Sequence, residues 1–232
     1  MRILVINTNS TASMTDKIVE TARNIASSGT TIIGATGKDT PASIEGHYDE
    51  AMSVPDLLAQ LRQAEADGID GVVVACFDDP GIGACREVMS GPVLGICEAA
   101  VKAASMISTS FSVVTTLPRS VPVIEDLIHG YGLSHRCRRV RSAEIPVLAL
   151  EEEGSGARDK VRDEILRAVL EDRCEAVVLG CAGMADLTEW LSRETGVPVI
   201  DGVTVATRMI EALIGSGLGT SKIGAYAQPN SK

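Results

Sequence analysis

The sequence contains one strand-like segment twice, and both copies end in a cysteine. DGVVVAC at 70–76 and EAVVLGC at 175–181 align without a gap at a separation of 105 residues. Valine runs alone are common to unrelated β-α-β units, but a cysteine at the end of the same strand in both copies is not explained in that way. The chain is therefore predicted to consist of two related halves.

The alignment extends into the predicted helices before the two strands. Leu61 pairs with Leu166 and Arg62 with Arg167 at the same separation of 105 residues. Further along the chain, GPVLGI from Gly91 matches VPVIDG from Val197. We infer that each half contains the same order of strands and helices.

Apolar strands alternate with helical patterns along the chain. Runs of Val, Ile and Leu without polar alternation are typical of strands covered on both faces, which indicates parallel sheets with flanking helices. Strands are predicted at 3–6, 72–75, 111–115, 176–179 and 197–200, and helices at 55–66, 159–170 and 187–193. The predicted fold class is α/β, with two pseudo-symmetric lobes, each a mostly parallel sheet flanked by helices, and an active site in the cleft between them.

The repeat also predicts the division of the chain between the lobes. We expect the first lobe to hold residues 1–98 together with residues 205–232, because the C-terminal segment VATRMIEALIGSG is predicted to return to it as a helix. The second lobe is expected to hold residues 99–204.

Composition and charge exclude several classes of function. The 232 residues carry a net charge of −10, which opposes binding to nucleic acid or to an anionic membrane surface. No stretch approaches the roughly 20 apolar residues of a membrane span. The start MRILVINTNS is too short in apolar residues for a signal peptide, so a cytoplasmic location is expected.

The cysteine and histidine pattern argues against disulfides and metals. Six cysteines in a cytoplasmic chain are expected to be thiols. There is no C-x-x-C or H-x-x-x-H motif and only three histidines are present, so no metal is predicted. The expected ligand is a small molecule.

Position gives Cys76 and Cys181 a predicted chemistry. Ligands of open parallel sheets bind beyond the carboxyl ends of the strands. Asp79-Pro80 predicts an N-cap followed by proline at the first position of a helix, and a helical segment also follows Cys181. A thiol at a helix N-terminus is expected to have a pKa below its reference of about 8.5.

Two thiols on opposite sides of one ligand are what a racemase without a cofactor needs. One thiolate removes a proton from a carbon, and the opposing thiol delivers a proton to the other face. The resulting enolate needs fixed hydrogen-bond donors, for which the backbone N–H groups of Phe77, Asp78, Ala182 and Gly183 are candidates.

The motifs around both cysteines resemble those of a known family. ACFDDPG with Cys76 and LGCAGM with Cys181, supported by INTNST, SIEGHYDEA and GICEAA, resemble the aspartate/glutamate racemase superfamily and within it the hydantoin racemase branch. The resemblance covers nearly the whole chain. It implies a 5-monosubstituted hydantoin as substrate, no pyridoxal cofactor, and compatibility with a homo-oligomer.

Three alternatives stay open at this point. Allantoin racemases share both cysteine motifs, and only the pocket wall around the 5-substituent separates them from hydantoin racemases. Amino-acid racemases of the superfamily tend to have Asn-Thr after the first cysteine and Thr after the second, whereas Phe77-Asp78 and Ala182-Gly183 follow here. A two-lobed binding protein without chemistry is the third alternative.

The other candidate site residues have weaker arguments. Asn9, Thr115 and Thr116 follow strands and are predicted either to bind ring carbonyls and N–H groups or to stabilise turns and helix ends. For Asp78 and Asp79, one is expected to cap a helix and the other to contact a ring N–H or orient Cys76.

Overall fold

The computed structural model describes residues 1–152 and 154–230. Residues 153, 231 and 232, which the predicted lobes include, lie outside the described residues. The strands are β1 Arg2–Asn7, β2 Thr31–Thr36, β3 Gly71–Val74, β4 Val93–Gly95, β5 Phe111–Thr115, β6 Cys137–Ser142, β7 Ala176–Leu179 and β8 Val199–Ile200. The α-helices are α1 Ala12–Ile25, α2 His47–Ala66, α3 Ile82–Val88, α4 Ile96–Ile107, α5 Val121–Gly130, α6 Ala157–Arg167, α7 Thr188–Thr195 and α8 Gly202–Gly215.

The strands form two four-stranded parallel sheets with the same topology. Their orders are β2-β1-β3-β4 and β6-β5-β7-β8, so each strand of the second sheet takes the position of the strand four places earlier. All pairings within both sheets are parallel. The predicted α/β fold with two pseudo-symmetric lobes is confirmed.

Helices cover both faces of each sheet. An inner core joins the sheets, since it contains Val5 of β1 and Val113 of β5 together with apolar residues of α1, α4, α5 and α8. A second core packs α2 and α3 against the outer face of the first sheet. A third packs α6 and α7 against the outer face of the second sheet. Both sheets are therefore covered on both faces, which explains their continuous apolar strands.

The repeat has two registers rather than one. The buried residues Leu57, Leu61 and Ala64 of the first half correspond to Val161, Ile165 and Ala168, a separation of 104. Leu166, the residue that the sequence alignment pairs with Leu61, is 43 % exposed. A π-helical turn at Ala168–Asp172 follows α6 and accounts for one extra residue, which restores the separation of 105 at β7. The predicted pairing of Leu61 with Leu166 is wrong for this reason.

Two predicted helix starts are also wrong. Helix α2 begins at His47 and continues through Pro55, where the sequence predicts the first residue. Helix α3 begins at Ile82 after Gly81, which has a positive φ of 62°, so Asp79-Pro80 does not start it.

The path of the chain between the sheets involves two long inner helices. Helix α4 follows β4 directly, and the predicted boundary at residues 98 and 99 falls inside it. Helix α8 packs against α1, α4 and β3. The division of the chain into lobes remains a prediction.

Among the described residues, no helix combines the length and apolar character that crossing a bilayer requires.

Candidate active site

The candidate site lies at the carboxyl ends of the central strands of both sheets. Cys76 follows β3 by two residues, and Cys181 follows β7 by two residues. β3 and β7 occupy equivalent central positions. The shared topology therefore places the two thiols at equivalent points of the two lobes.

One cavity brings most of the predicted site residues together. Its volume is about 30 Å³, which is room for one or two water molecules, whereas ligand pockets typically measure about 300–1,000 Å³. Its lining includes these predicted residues: Asn9, Cys76, Phe77, Asp78, Thr115, Thr116, Cys181 and Ala182. Asp79 and Gly183 are not part of the lining. The cleft is closed in this structure, so a ring-sized ligand requires part of its wall to move.

Both thiols have raised pKa values. Burial raises the pKa of Cys76 well above its usual range, the nearby charge of Asp78 adds to this, and the Asp78 N–H and the Thr8 hydroxyl oppose it. Burial likewise raises the pKa of Cys181 to about 12, with opposition from the Gly183 N–H. The two cysteines are partly exposed, because they border the cavity, but the surrounding protein still removes bulk water from the sulfur atoms.

The predicted lowering of the thiol pKa is therefore wrong for the closed protein. Helix α3 begins six residues after Cys76, and a 3-10 turn at Ala182–Leu187 separates Cys181 from α7. Neither thiol lies at the N-terminus of an α-helix, so little helix dipole acts against burial. Both cysteines are protonated at neutral pH in the closed cleft.

The backbone after the two cysteines repeats one hydrogen-bond pattern. The N–H groups two residues on, at Asp78 and Gly183, lie close enough to the preceding sulfur atoms to lower the pKa of each thiol. The N–H groups three residues on bond back to the cysteine carbonyls, from Asp79 at 3.1 Å and from Met184 at 3.2 Å.

The N–H groups directly after the cysteines complete this pattern. Those of Phe77 and Ala182 have no acceptor within the described part of the chain. Both residues border the cavity, and the described residues leave this pair of donors unused.

The strand-end residues divide into engaged and free side chains. The Asn9 Oδ1 accepts from the Asn7 side chain at 2.8 Å and from the Thr11 N–H at 3.0 Å. The Thr115 hydroxyl donates to the Gly180 carbonyl at 2.9 Å. The Thr116 hydroxyl bonds to none of the described residues and borders the cavity, so of these three side chains it is the one free to meet a ligand.

Asp79 is a structural link rather than a cap of the following helix. Its carboxylate accepts the N–H of Cys97 at 3.1 Å, the N–H of Glu98 at 2.8 Å and the hydroxyl of Tyr131 at 2.7 Å. It thereby caps the N-terminus of α4 from outside the helix. A side chain at Gly95 would collide with this carboxylate, so glycine is required there. Asp79 itself has a positive φ of 45°.

Sequence reasoning missed several residues of the cavity wall. Met14 comes from α1, Ile44 from the loop before α2, Ser120 from the turn after β5, and Val147 from the 3-10 turn Val147–Glu151. Thr8, next to Cys76, was also missed as a site residue. Only Thr8 and Ser120 carry a local signal, since they are polar residues close to strand ends.

The described residues contain no group of three or more His, Cys, Asp or Glu side chains that could hold a metal ion. The absence of a cofactor remains a prediction.

Two matched parallel-sheet lobes with a thiol at the same strand end of each define the two-lobed α/β racemase class. The chain belongs to the Asp/Glu/Hydantoin racemase family, whose family model matches residues 3–210.

Individual relatives agree with the family. The hydantoin racemase of Rhizobium meliloti is 56 % identical over 232 residues, which are all of this chain and 96 % of that protein. The hydantoin racemase of Pseudomonas sp. (strain NS671) is 43 % identical over all of this chain and 93 % of its own. The structure of allantoin racemase from Klebsiella pneumoniae superposes with a TM-score of 0.98 at 46 % identity, covering 100 % of this chain and 95 % of that one. The protein is a racemase, an isomerase.

Proposed function

We propose that this racemase interconverts the D and L forms of 5-monosubstituted hydantoins without a cofactor. Cys76 and Cys181 act as the two acid–base groups, one on each face of C5. The observation that carries the proposal is the equivalent position of the two thiols on one cavity. The identity with hydantoin racemases over the whole chain supports the substrate class.

The reaction conserves one negative charge in the site. A thiolate takes the C5 proton, and the electron pair of the C–H bond moves into the ring as an enolate, whose charge lies on the carbonyl oxygen next to C5. The opposing thiol then donates its proton to the other face of C5 and becomes the thiolate. The free N–H groups of Phe77 and Ala182 are the donors suited to the enolate oxygen.

The raised thiol pKa values fit a site that ionises only when occupied. In the empty cleft a thiolate would be buried without enough compensating hydrogen bonds. One thiol must lose its proton to solvent as the substrate binds, and a substrate that polarises towards its carbonyl oxygen then gives this negative charge a second location close to two N–H donors. Proton transfer and binding are therefore coupled.

The wall of the cavity favours an apolar 5-substituent. Met14, Ile44 and Val147 contribute apolar side chains to the lining. Any N–H or carbonyl group of a ureido substituent, as in allantoin, that faces these three side chains would be unpaired, at a cost of about 1–3 kcal/mol per group. Aliphatic and aromatic hydantoins are thus the better fit, and allantoin is the comparison substrate.

The test follows the C5 proton. Each enantiomer of 5-benzylhydantoin, 5-isobutylhydantoin and allantoin is incubated with the protein in deuterated water, with a protein-free blank. We expect loss of the C5–H signal and convergence to equal enantiomers for the two hydantoins, at a higher kcat/KM than for allantoin. Exchange of allantoin alone would transfer the assignment to allantoin racemase, and exchange of no substrate would refute the proposal.

We also propose a cytoplasmic site of action and a small molecule as the ligand, with neither nucleic acid nor membrane as partner. All six cysteines are free thiols, and the net charge is −10. A homo-oligomer is proposed from the family resemblance, and light scattering of the purified protein tests it.

A further inference from the structure

The two halves of the site differ in charge at the second residue after each cysteine. Asp78 of the first half corresponds to Gly183 of the second at the separation of 105 residues. Their N–H groups have the same role, because each lowers the pKa of its own thiol. Only the first half adds a side chain there, and that side chain is a carboxylate. The two cysteines are equivalent in the two halves, whereas the Asp78 carboxylate has no counterpart in the second half.

The Asp78 side chain is largely buried, and its carboxylate has no partner among the described residues. The residue is only 6 % exposed and borders the cavity. Within residues 1–152 and 154–230, its carboxylate makes no hydrogen bond and no ion pair, unlike that of Asp79 with its three donors. Its oxygen atoms are not fully sealed from solvent, so they are open to a donor from outside the protein. Such a group is suited to a donor that the ligand brings.

The neighbourhood of Asp78 also specifies the kind of ligand. The described charged groups that act on it are Glu50, whose negative charge opposes ionisation, and His47, both in the first turn of α2. Lys and Arg side chains are missing from the described lining of the cavity. A carboxylate substrate would meet a carboxylate with no cation to offset the repulsion. A neutral ligand with an N–H donor fits this environment.

Resting on the proposed hydantoin activity, we infer that Asp78 binds the ring N1–H of the substrate and thereby sets the ring orientation for both enantiomers. N1 is bonded to C5, the carbon that must lie between the two thiols, whereas N3 lies across the ring between the carbonyls. Asp78 borders the same cavity as both thiols, and the charge of its carboxylate acts on both of them. The carboxylate is therefore close to the position of C5, where N1–H is the nearer donor.

The test uses two methylated substrates of equal size. The kcat/KM for 5-benzylhydantoin is compared with those for its N1-methyl and N3-methyl derivatives, for the wild-type protein and for Asp78→Leu, Asp78→Asn and Glu50→Gln. For the wild type, N1-methylation should lower kcat/KM at least about tenfold, and N3-methylation should lower it less than about threefold.

The variants locate the interaction. In Asp78→Leu the parent substrate should lose at least about tenfold, and the N1-methyl penalty should disappear, as expected when one partner of a pair is already missing. Asp78→Asn should retain more activity than Asp78→Leu, since its amide oxygen still accepts a hydrogen bond. Glu50→Gln removes a nearby charge outside the cavity lining and should keep the N1-methyl penalty.

The outcomes separate this inference from the proposed function. Equal penalties for N1- and N3-methylation in the wild type, or an N1-methyl penalty that persists in Asp78→Leu, would overturn the role of Asp78. Racemisation of the parent hydantoin would survive either result. If the wild type leaves the parent hydantoin unchanged, the proposed function fails instead. The wild-type comparison needs no variant, so it decides the question even if Asp78→Leu does not fold.

Discussion

Two adjacent aspartates show how partners, rather than burial, distinguish a structural residue from a ligand-binding one. Burial raises the pKa of both Asp78 and Asp79 to about 7. Asp79 receives two backbone N–H groups and a tyrosine hydroxyl, which offset only part of the cost of burying its charge. Asp78 receives no such donors from the described residues, and its raised pKa makes its ionisation a net cost to the folded protein that a bound N–H donor would reduce.

This cost predicts a pH-dependent gain in stability for Asp78→Asn. The folded-state pKa of about 7 lies above the ordinary value of 3.8, so the folded protein binds the proton more tightly and loses stability as pH rises from about 4 to about 7. Asparagine avoids this loss, and we expect a gain on the order of 2–4 kcal/mol at pH 8 that vanishes near pH 4. Urea unfolding at both pH values measures it.

The matched control is Asp126→Asn on the exposed face of α5, which should change stability by less than about 0.5 kcal/mol at either pH. A destabilised Asp78→Asn protein at pH 8 would show that an unrecognised donor stabilises the carboxylate.

The two thiols should serve opposite enantiomers. If each faces one side of C5, Cys76→Ala and Cys181→Ala should each exchange the C5 proton of a single enantiomer in deuterated water, with no inversion and with opposite preferences. Proton NMR with chiral chromatography separates exchange from inversion. Cys97→Ala, a buried thiol outside the cavity lining, should still racemise. The same preference in both variants would mean that one thiol serves both faces.

At the scale of elements, short sequence patterns predict those helices and strands whose positions depend on nearby residues. Five strands, β1, β3, β5, β7 and β8, and the cysteines that follow β3 and β7 are predicted correctly, because continuous apolar runs and a strand-end position are local signals. Strands β2, β4 and β6 are not among the predicted strands. Helix α2 starts eight residues earlier than expected, since Pro55 is exposed and solvent can bond the backbone carbonyl that lacks a donor.

The remaining errors have tertiary causes. The thiol pKa values follow from closure of the cleft by segments distant in sequence, among them the loop with Ile44 and the turn with Val147. The capping of α4 by Asp79 joins residues 18 and 19 positions apart. The sequence next to these residues contains no pattern that predicts contacts between such distant segments.

The turn Val147–Glu151, which contributes Val147 to the cavity wall, is bonded to α1 through Lys17. We predict that movement of this turn opens the cavity. Lys17 Nζ lies 3.0 Å from Glu151 Oε1 and 3.4 Å from the Leu150 carbonyl oxygen. The Lys17 side chain is 37 % exposed, and pairs of this kind contribute about 0.2–1 kcal/mol. Lys17→Met should therefore raise the rate of Cys181 alkylation by iodoacetamide by about 1.5- to 5-fold, as measured by mass spectrometry of the modified peptide.

The control for this opening is Arg193→Met, which removes an exposed ion pair with Glu189 on α7 and should leave the alkylation rate of Cys181 unchanged. Loss of the Lys17 positive charge by itself would disfavour the Cys181 thiolate and slow alkylation. A faster alkylation of Cys181 in Lys17→Met therefore reports greater access of the reagent to the cavity. An unchanged rate in Lys17→Met would locate the opening elsewhere in the wall.

At the scale of the whole molecule, the site depends on a core that belongs to both lobes. The inner core includes Ile3 and Val5 of the first sheet, Phe111 and Val113 of the second, and helices between them. Each lobe thus buries one face of its sheet only through contact with the inner helices. The thiols are held in one cavity by the same packing, so site geometry and global stability have a common origin.

This shared core predicts that the two lobes unfold together. The single tryptophan, Trp190, packs in the outer core of the second lobe, and its fluorescence reports that lobe, whereas far-UV circular dichroism reports both. Leu61→Ala, in the outer core of the first lobe, should destabilise the protein by about 2–5 kcal/mol and lower both unfolding midpoints equally. Ile165→Ala, its equivalent in the second lobe, should do the same. If Leu61→Ala shifts the dichroism and leaves the Trp190 transition in place, the lobes are independent units, and the inner core does not couple them.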